Sequence, residues 1–328
     1  MDSVKIDLNS IYHNFQYHHP LLDPDIIVPI TKNKFQPYFF DDYPKIIVIL
    51  EGSNITGYML AYFSYIRKIF KSIRTFYPFV SSDNLNYGEI IRKISNSHMV
   101  NFVPLLDNPF MHLVPNSFTR VELQRIVSYD LIPDKKARNC VRKAIANNLE
   151  TQILSGDQIT KDDIRDFLLV AKESLNRRGR TINVDNTLIC KWYTTISSIP
   201  ENKGVFVKVL DNSGKILGGN YVIISGKILY HYIAYNSIEG LKKKAGYLAL
   251  DTIFKFARDN NLIVDFGLNP FEPFVEYKKH WGITRIEPAF NYIPIHYKII
   301  FNLYKKLLKS TFIKKIIGFG NYGVNNDY

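Results

Sequence analysis

Cysteine is almost missing from this chain. Its 328 residues include two, Cys140 and Cys190, about 50 positions apart, a spacing that excludes a disulfide framework and a cysteine metal knuckle. Methionine and tryptophan are also scarce, at 4 and 2. No apolar run approaches the roughly 18 residues of a membrane span. The start, MDSVKIDLNS, lacks the basic opening and apolar core of an export signal. These absences predict a cytoplasmic chain in a reducing compartment. There is no Walker loop, no HExxH pair and no nucleophile elbow, so no metal ligands are assigned. Three short matches are set aside. Gly318, Gly320 and Gly323 spell G-x-G-x-x-G without a strand–turn–helix context. Asp265-Phe266-Gly267 matches the kinase metal triplet but follows no catalytic loop. Asn54-Ile55-Thr56 is a glycosylation sequon in a chain with no export signal. His18-His19 reads as a surface pair.

Negative charge is also in short supply. Against 42 Lys and Arg stand 30 Asp and Glu, a net charge of +12, which attracts nucleic acid, anionic lipid or phosphorylated small molecules. Apolar residues make up 46% of the chain, with 22 Tyr and 22 Phe. That suffices for sizeable cores, and the length fits two domains better than one.

Two regions share a plan. The first runs from the strand KIIVIL (45–50) through a turn at Glu51-Gly52-Ser53-Asn54 to the strand ITGYMLAYFSYI. A helical stretch, GEIIRKIS (88–95), and a strand, MVNFVPLL (99–106), follow. The second runs from GVFVKVL (204–210) through a turn at Asp211–Gly214 to KILGGNYVII, then through Ser225-Gly226 to KILYHYIAY (227–235). A helix over about 246–260 and a buried strand, LIVDFGL (262–268), complete it. Turn chemistry and apolar patterning support both readings. Three helices lie between. Asp134 caps DKKARNCVRKAIANN, Thr160 with Asp163 forms a capping box on the 160–178 helix, and Asp185 starts the 185–199 helix. The boundary between domains is placed at Pro133.

The order of elements in 134–290 resembles the GNAT acyltransferase superfamily, and within it the branch holding the Fem-type peptidoglycan aminoacyltransferases and FemAB-like acetyltransferases. DKKARNCVRKAIANN is similar to that branch's basic helix, GGNYVIISGKILYHYIAYNS to its central hairpin, and AGYLALDTIFKFARDNN with VDFGLNP to its core helix and strand. FVEYKKHWGI is similar to its F-K-x-x-F-G ending, with Tyr277, Lys278, Trp281 and Gly282 at those positions. The resemblance implies an α/β (α+β) fold of two tandem GNAT-like domains, each a mixed, mostly antiparallel sheet flanked by helices. Residues 1–133 would form a degenerate N-terminal domain, 134–295 the acyltransferase domain, and 296–328 a basic tail. Two departures stand out. The usual cofactor loop, Q/R-x-x-G-x-G/A, keeps here only a basic residue and Gly246, and Leu268 stands where many members have a second glycine.

The implied chemistry is direct acyl transfer to an amine without an enzyme nucleophile. It needs an anion grip, N–H donors for the oxyanion, and a proton acceptor. Lys242, Lys243 and Lys244 with Gly246, at a helix N-terminus, are the candidate grip for a phosphorylated or thioester donor of the acyl-CoA type. A solvated basic loop is the alternative. The strand near Ile233, Ala234 and Tyr235 is the expected source of N–H donors. His231 shares a face with Ile233 and Tyr235 by alternation and has an ordinary pKa suited to a base, unless it is a buried structural histidine. His231, Tyr235 and Asp265 are the catalytic candidates, Asp265 orienting an amine or pairing with a nearby base. Lys278 and Arg178 are candidates for binding an acceptor, and each also reads as a solvated side chain. The acceptor would be an amine-bearing sugar, peptide or lipid precursor of the cell envelope. Aminoacyl-tRNA is the alternative donor, and a non-catalytic binding module the alternative of another class. In the tail, Lys298 to Ser310 is amphipathic, either a helix on an anionic membrane at the inner face or one packed on the domain.

Overall fold

The computed structural model describes residues 2–15, 18–36, 43–51, 54–66, 70–75, 80–81, 92–94, 99–102, 114–268, 272–282 and 284–309. Of the expected stretch 88–95, residues 92–94 are described and are helical. Residues 103–106 and the tail beyond 309 lie outside the described set. The elements in order are α1 (Asp2–His13), α2 (Pro24–Lys32), β1 (Tyr43–Glu51), β2 (Asn54–Ile66), β3 (Phe70–Thr75), β4 (Val80–Ser81), β5 (Met99–Phe102) and β6 (Phe118–Ser128). Then come α3 (Lys135–Ala146), β7 (Glu150–Ser155), α4 (Lys161–Asn176), α5 (Asn186–Ser197), β8 (Gly204–Leu210), β9 (Ile216–Ser225), β10 (Ile228–Asn236) and α6 (Ile238–Lys242). The last are α7 (Ala245–Asp259), β11 (Ile263–Leu268), α8 (Glu272–Lys279), β12 (Thr284–Pro294) and α9 (Ile295–Lys309).

Among the described residues the strands form one 12-stranded sheet in the order β1-β2-β3-β5-β12-β6-β11-β10-β9-β8-β7, with β4 on β2. It is mixed and mostly antiparallel. The parallel contacts are β3 with β5 and β10 with β11, one in each half of the sheet. The order shows how the two GNAT-like units join. β6, from the first half of the chain, pairs with β11, while β12, from the end, pairs with β5. Between them β6 and β12 pair antiparallel from Ser128↔Thr284 to Phe118↔Pro294. Each unit's sheet is therefore completed by a strand of the other. We keep 1–133 and 134–295 as the proposed units, interlocked through this exchange.

The interhelical segments fold as their caps dictate. Asp134 accepts from Ala137 N–H at 2.8 Å, Asp185 from Leu188 N–H at 2.8 Å, and Thr160 and Asp163 close a reciprocal box. Among the described residues the two largest of four apolar clusters flank the sheet. One packs α3, α7 and Trp281 against Val205, Val207, Leu217, Leu229, Val264 and Phe266. The other packs α1, α2, α4 and α5 against Tyr221, Tyr230, Tyr232, Ile233 and Tyr235. Tyr58, Leu60 and Tyr62 of β2 join this second core, and the Tyr62 and Tyr232 hydroxyls meet at 3.3 Å. The sheet thus curls until β2 faces β10.

The N-terminal segment is fastened into this second core by polar groups. The Tyr12 and Ser225 hydroxyls are 2.8 Å apart, Ser225 donates to Asp23 at 2.6 Å, and Lys203 bridges Asp23 and Asp25 at 2.8 Å each. The expected surface pair divides: His18 is exposed and His19 is buried. Among the described residues, no helix is long and apolar enough to cross a membrane.

Candidate functional site

The site begins where two neighbouring strands part. β10 pairs in parallel with β11 only over Ile228↔Ile263, Leu229↔Val264 and Tyr230↔Asp265. Both strands are irregular at that level. Against β9, β10 slips between His231 and Ile233, so Tyr232 is an inserted residue. Against β6, β11 slips between Asp265 and Leu268. A bulge bends its strand and redirects side chains. Gly267 takes up the bend with φ +67°, and a side chain there would strike the Tyr230 hydroxyl at 2.7 Å. Beyond this point β10 continues to Asn236 along β9 alone. The pairing with β11 thus ends before the Ile233–Tyr235 segment expected to offer N–H donors.

The bulge also corrects an expectation. Alternation put His231, Ile233 and Tyr235 on one face. With Tyr232 inserted, Tyr232, Ile233 and Tyr235 all enter the core of α4 and α5, while His231 turns to the α7 side, its ring 5.6 Å from Phe266. Lys278 of α8 reaches the same place. Its Nζ donates to the Phe266 carbonyl at 3.2 Å and lies 5.1 Å from the Phe266 ring centre. Burial, and after it the Lys278 charge, pushes His231 down to about 3. Its Nε2 is buried without a hydrogen-bond partner. So the ordinary pKa that made His231 a candidate base is not the one this site gives it. Lys278 moves closer to neutrality, pushed by burial to about 8 against the opposing pull of Asp265.

Asp265 lies on the other face and is fully buried. Arg125 grips its Oδ2 at 2.7 and 3.1 Å, His19 Nε2 lies 3.3 Å from the same oxygen, and Gly267 N–H donates to Oδ1 at 2.7 Å. Burial alone would raise this carboxyl. The Arg125 charge and the His19 hydrogen bond outweigh it and hold Asp265 well below the usual carboxylate range. Leu21 N–H donates to His19 Nδ1 at 3.1 Å, so the His19 proton sits on Nε2 and the ring is neutral. Burial depresses its pKa, in agreement. Of the two roles open to Asp265, pairing is the one its neighbours occupy. It pins the level at which β10 and β11 separate.

The third component is the N-terminus of α7. Lys244, its N-cap, has a left-handed backbone, φ 69°, and makes no capping hydrogen bond. The first-turn N–H groups therefore lack a side-chain acceptor from the cap. Lys243 pairs with Glu239 at 2.8 Å, and Lys242 is exposed. Gly246 presses against Asn236, whose Nδ2 lies 3.0 Å from where a side-chain carbon would stand. A larger residue at 246 would push the helix start away from the end of β10. Asn236 itself escaped the sequence reading, and its Oδ1 is buried with no hydrogen-bond partner. Arg178, after α4, lies within electrostatic reach of Tyr235. The structure thus gathers His231 and Lys278 on one face beside Phe266, sets Ile233, Tyr235, Arg178 and Asp265 on the other, and brings Gly246 against the end of β10. Among the described residues no cluster of three or more His, Cys, Asp and Glu has the arrangement of a metal site.

The fold as a whole matches known structures. FemX superposes with TM-score 0.58 at 13% identity, covering 91% of this chain and 98% of its own. The chain has the FemAB-like GNAT fold. The C-terminal DUF2156 domain of a proposed lysylphosphatidylglycerol synthetase from Agrobacterium fabrum has it too, with TM-score 0.57, 11% identity and coverage of 90% and 92%. So does a tandem GNAT protein from the clavulanic acid biosynthesis pathway, with TM-score 0.52, 9% identity and coverage of 89% and 94%. No protein-family model and no curated protein sequence matches the chain.

Proposed function

We propose that the chain is a cytoplasmic N-acyltransferase. It would move an acyl group from an activated donor of the acyl-CoA type to the amine of a sugar, peptide or lipid precursor of the cell envelope. The observation that carries this reading is the separation of β10 from β11 after Tyr230↔Asp265, beside the uncapped start of α7. The names of the solved neighbours, FemX and a proposed lysylphosphatidylglycerol synthetase among them, support it.

The donor supplies an activated acyl carbon. The α7 start fits one of its phosphate groups: Lys242 and Lys244 provide charge, the first-turn N–H groups provide donors, and Gly246 keeps them close to β10. The stretch of β10 past its pairing with β11, near Ile233, Ala234 and Tyr235, supplies N–H groups for the oxygen that gains charge. Lys278 faces the same gap and holds an acceptor's carboxylate or phosphate through a charge-assisted hydrogen bond. A second reading takes aminoacyl-tRNA as donor. It is favoured by α3, which exposes Lys135, Lys136, Arg138, Arg142 and Lys143 and contains no acidic residue.

Thermal shift with acyl-CoAs and with aminoacyl-tRNA separates the readings. Stabilisation by one class names the donor, and stabilisation by neither leaves a binding module without transfer activity. Replacing Lys242, Lys243 and Lys244 together with Ala should weaken donor binding, most at low salt where screening is weakest. Unchanged affinity at low salt would remove this loop from the site.

Lys278→Ala should raise the acceptor KM about tenfold or more, the effect of losing about 1.4 kcal/mol. In the wild type the hold should fade as pH rises through about 8, where Lys278 loses its proton. Lys278→Arg stays charged and should abolish that alkaline rise in KM. Normal acceptor kinetics in Lys278→Ala would remove Lys278 from the acceptor site.

A further inference from the structure

We propose that α9 docks the protein on an anionic lipid surface, lying in the headgroup layer. This does not rest on the acyltransfer reading. The helix leaves β12 directly, and its first residue is tied to the sheet by Ile295 N–H donating to the Ser117 carbonyl at 2.8 Å. Ile295, Ile299 and Leu303 recur every fourth position and so form one row along the helix. Their exposures are 44%, 55% and 56%, with Ile300 beside them at 44%. Tyr297 and Lys298, on the other side, are half-buried. The exposed row is therefore not the face that the helix turns to its own domain. Single exposed apolar residues are ordinary on a protein surface. Four within about 12 Å of one helix form a patch that water does not favour.

Charge identifies the occupant. No Asp or Glu occurs between Glu287 and Asp327, while that stretch carries Lys298, Lys305, Lys306, Lys309, Lys314 and Lys315. RNA would use the lysines and leave the isoleucines in water. A protein partner would cover the isoleucines without requiring charge of one sign over so long a segment. A membrane surface of anionic lipid uses both: the apolar row enters the boundary between headgroups and acyl chains, and lysines meet the phosphates. A helix of 15 residues is too short for a bilayer core of about 30 Å, so it lies on the surface and does not cross it.

Flotation of the full chain with vesicles tests this. The protein should float with equimolar phosphatidylglycerol and phosphatidylcholine, stay behind with phosphatidylcholine alone, and release as salt rises. Lys306→Glu, at an exposed position of the helix, should weaken binding by about fivefold or more, the effect of losing one lysine near the surface. Ile299→Asp with Leu303→Asp should abolish flotation while the circular dichroism spectrum and melting curve stay unchanged, since both side chains are exposed. Equal flotation with neutral vesicles, no flotation with either, or full binding by the Ile299→Asp, Leu303→Asp protein would overturn the proposal. So would light scattering that shows a dimer split by that double variant, because a second copy would then be the occupant.

Discussion

Arg125→Met should destabilise the protein by about 3–5 kcal/mol, because it strands the Asp265 carboxylate in the core. Asp265 is 1% exposed and Arg125 9%, so water does not replace the lost charge. Arg125 also holds Glu287 at 3.0 Å, and Glu287 accepts from Tyr129 at 2.7 Å. One guanidinium therefore links β11 to β12 through β6, at the crossing where the two units exchange strands. The pH dependence has a definite sign. In the wild type Asp265 and His19 both have lowered pKa values. The unfolded chain thus binds more protons than the native state on the acid side, and stability falls as pH falls below about 6.5 for His19 and below about 4 for Asp265. Without Arg125, burial raises the Asp265 pKa, so the deficit should be greatest at neutral pH and shrink as the carboxyl takes up a proton. Urea midpoints measured across pH check both statements. A midpoint unmoved by Arg125→Met at pH 7 would mean that the pair contributes nothing net.

Local chemistry made much of the C-terminal unit legible. Asp134, Thr160 and Asp185 are capping residues with their acceptor bonds intact, and β8, β9, β10 and β11 each begin within a residue of the expected position. The elements the sequence reading missed lack that local signature. α2 carries Pro29 inside it, which reads as a break. β6 spells TRVELQR across its middle, and its Arg125 reads as a solvent residue. It is buried because its partner, Asp265, lies 140 positions away. β12 carries Pro288 and Pro294, which argue against a central strand, yet it fills the seam between the units. A strand exchange is a property of two sequences meeting, and no window on either one contains it.

The same reason divides the candidate site. Gly246 and Lys278 stand out in the sequence because each sits in a short motif with a helix beside it. The error in facing at His231 arose because a period of two assumes a regular strand. One inserted residue, Tyr232, sends His231 to the α7 side and leaves Ile233 and Tyr235 on the other. A His-His pair is polar, so His19 reads as exposed in the sequence. The fold buries it by making it the second partner of Asp265, 246 positions away. Asn236 had one faint signal, the pair Gly218-Gly219 on the facing strand: a side-chain carbon at Gly218 would meet the Asn236 Oδ1.

Trp281→Ala should also cost about 3–5 kcal/mol, the range for deleting a large aromatic side chain from a packed core. Trp281 is fully buried, with its ring 5.2 Å from Phe254 and 6.0 Å from Tyr247 of α7. Its backbone is held as firmly. Ser128 donates to the Trp281 carbonyl at 3.0 Å, Trp281 N–H donates to the Lys278 carbonyl at 3.0 Å, and Asp134 N–H donates to the neighbouring His280 carbonyl at 2.9 Å. Gly282 completes the turn at φ +118°, where a side chain would meet the Ser128 hydroxyl at 2.7 Å. The indole thus ties the end of α8 to α7 while the Trp281 backbone ties it to the end of β6, and Lys278 stands one helical turn before it. Truncating the indole should loosen that tie as well as open a cavity. Trp281→Ala should therefore lose stability and, at temperatures where it is still folded, also raise the acceptor KM in the direction of Lys278→Ala. Lys278→Ala should raise KM with little loss of stability. Combining the two should add little further loss in KM, since both act through the position of one ammonium. Melting curves and acceptor kinetics on the two single variants and the double separate these effects. A Trp281→Ala protein that is less stable but kinetically normal would show that the indole supports the core without aiming Lys278.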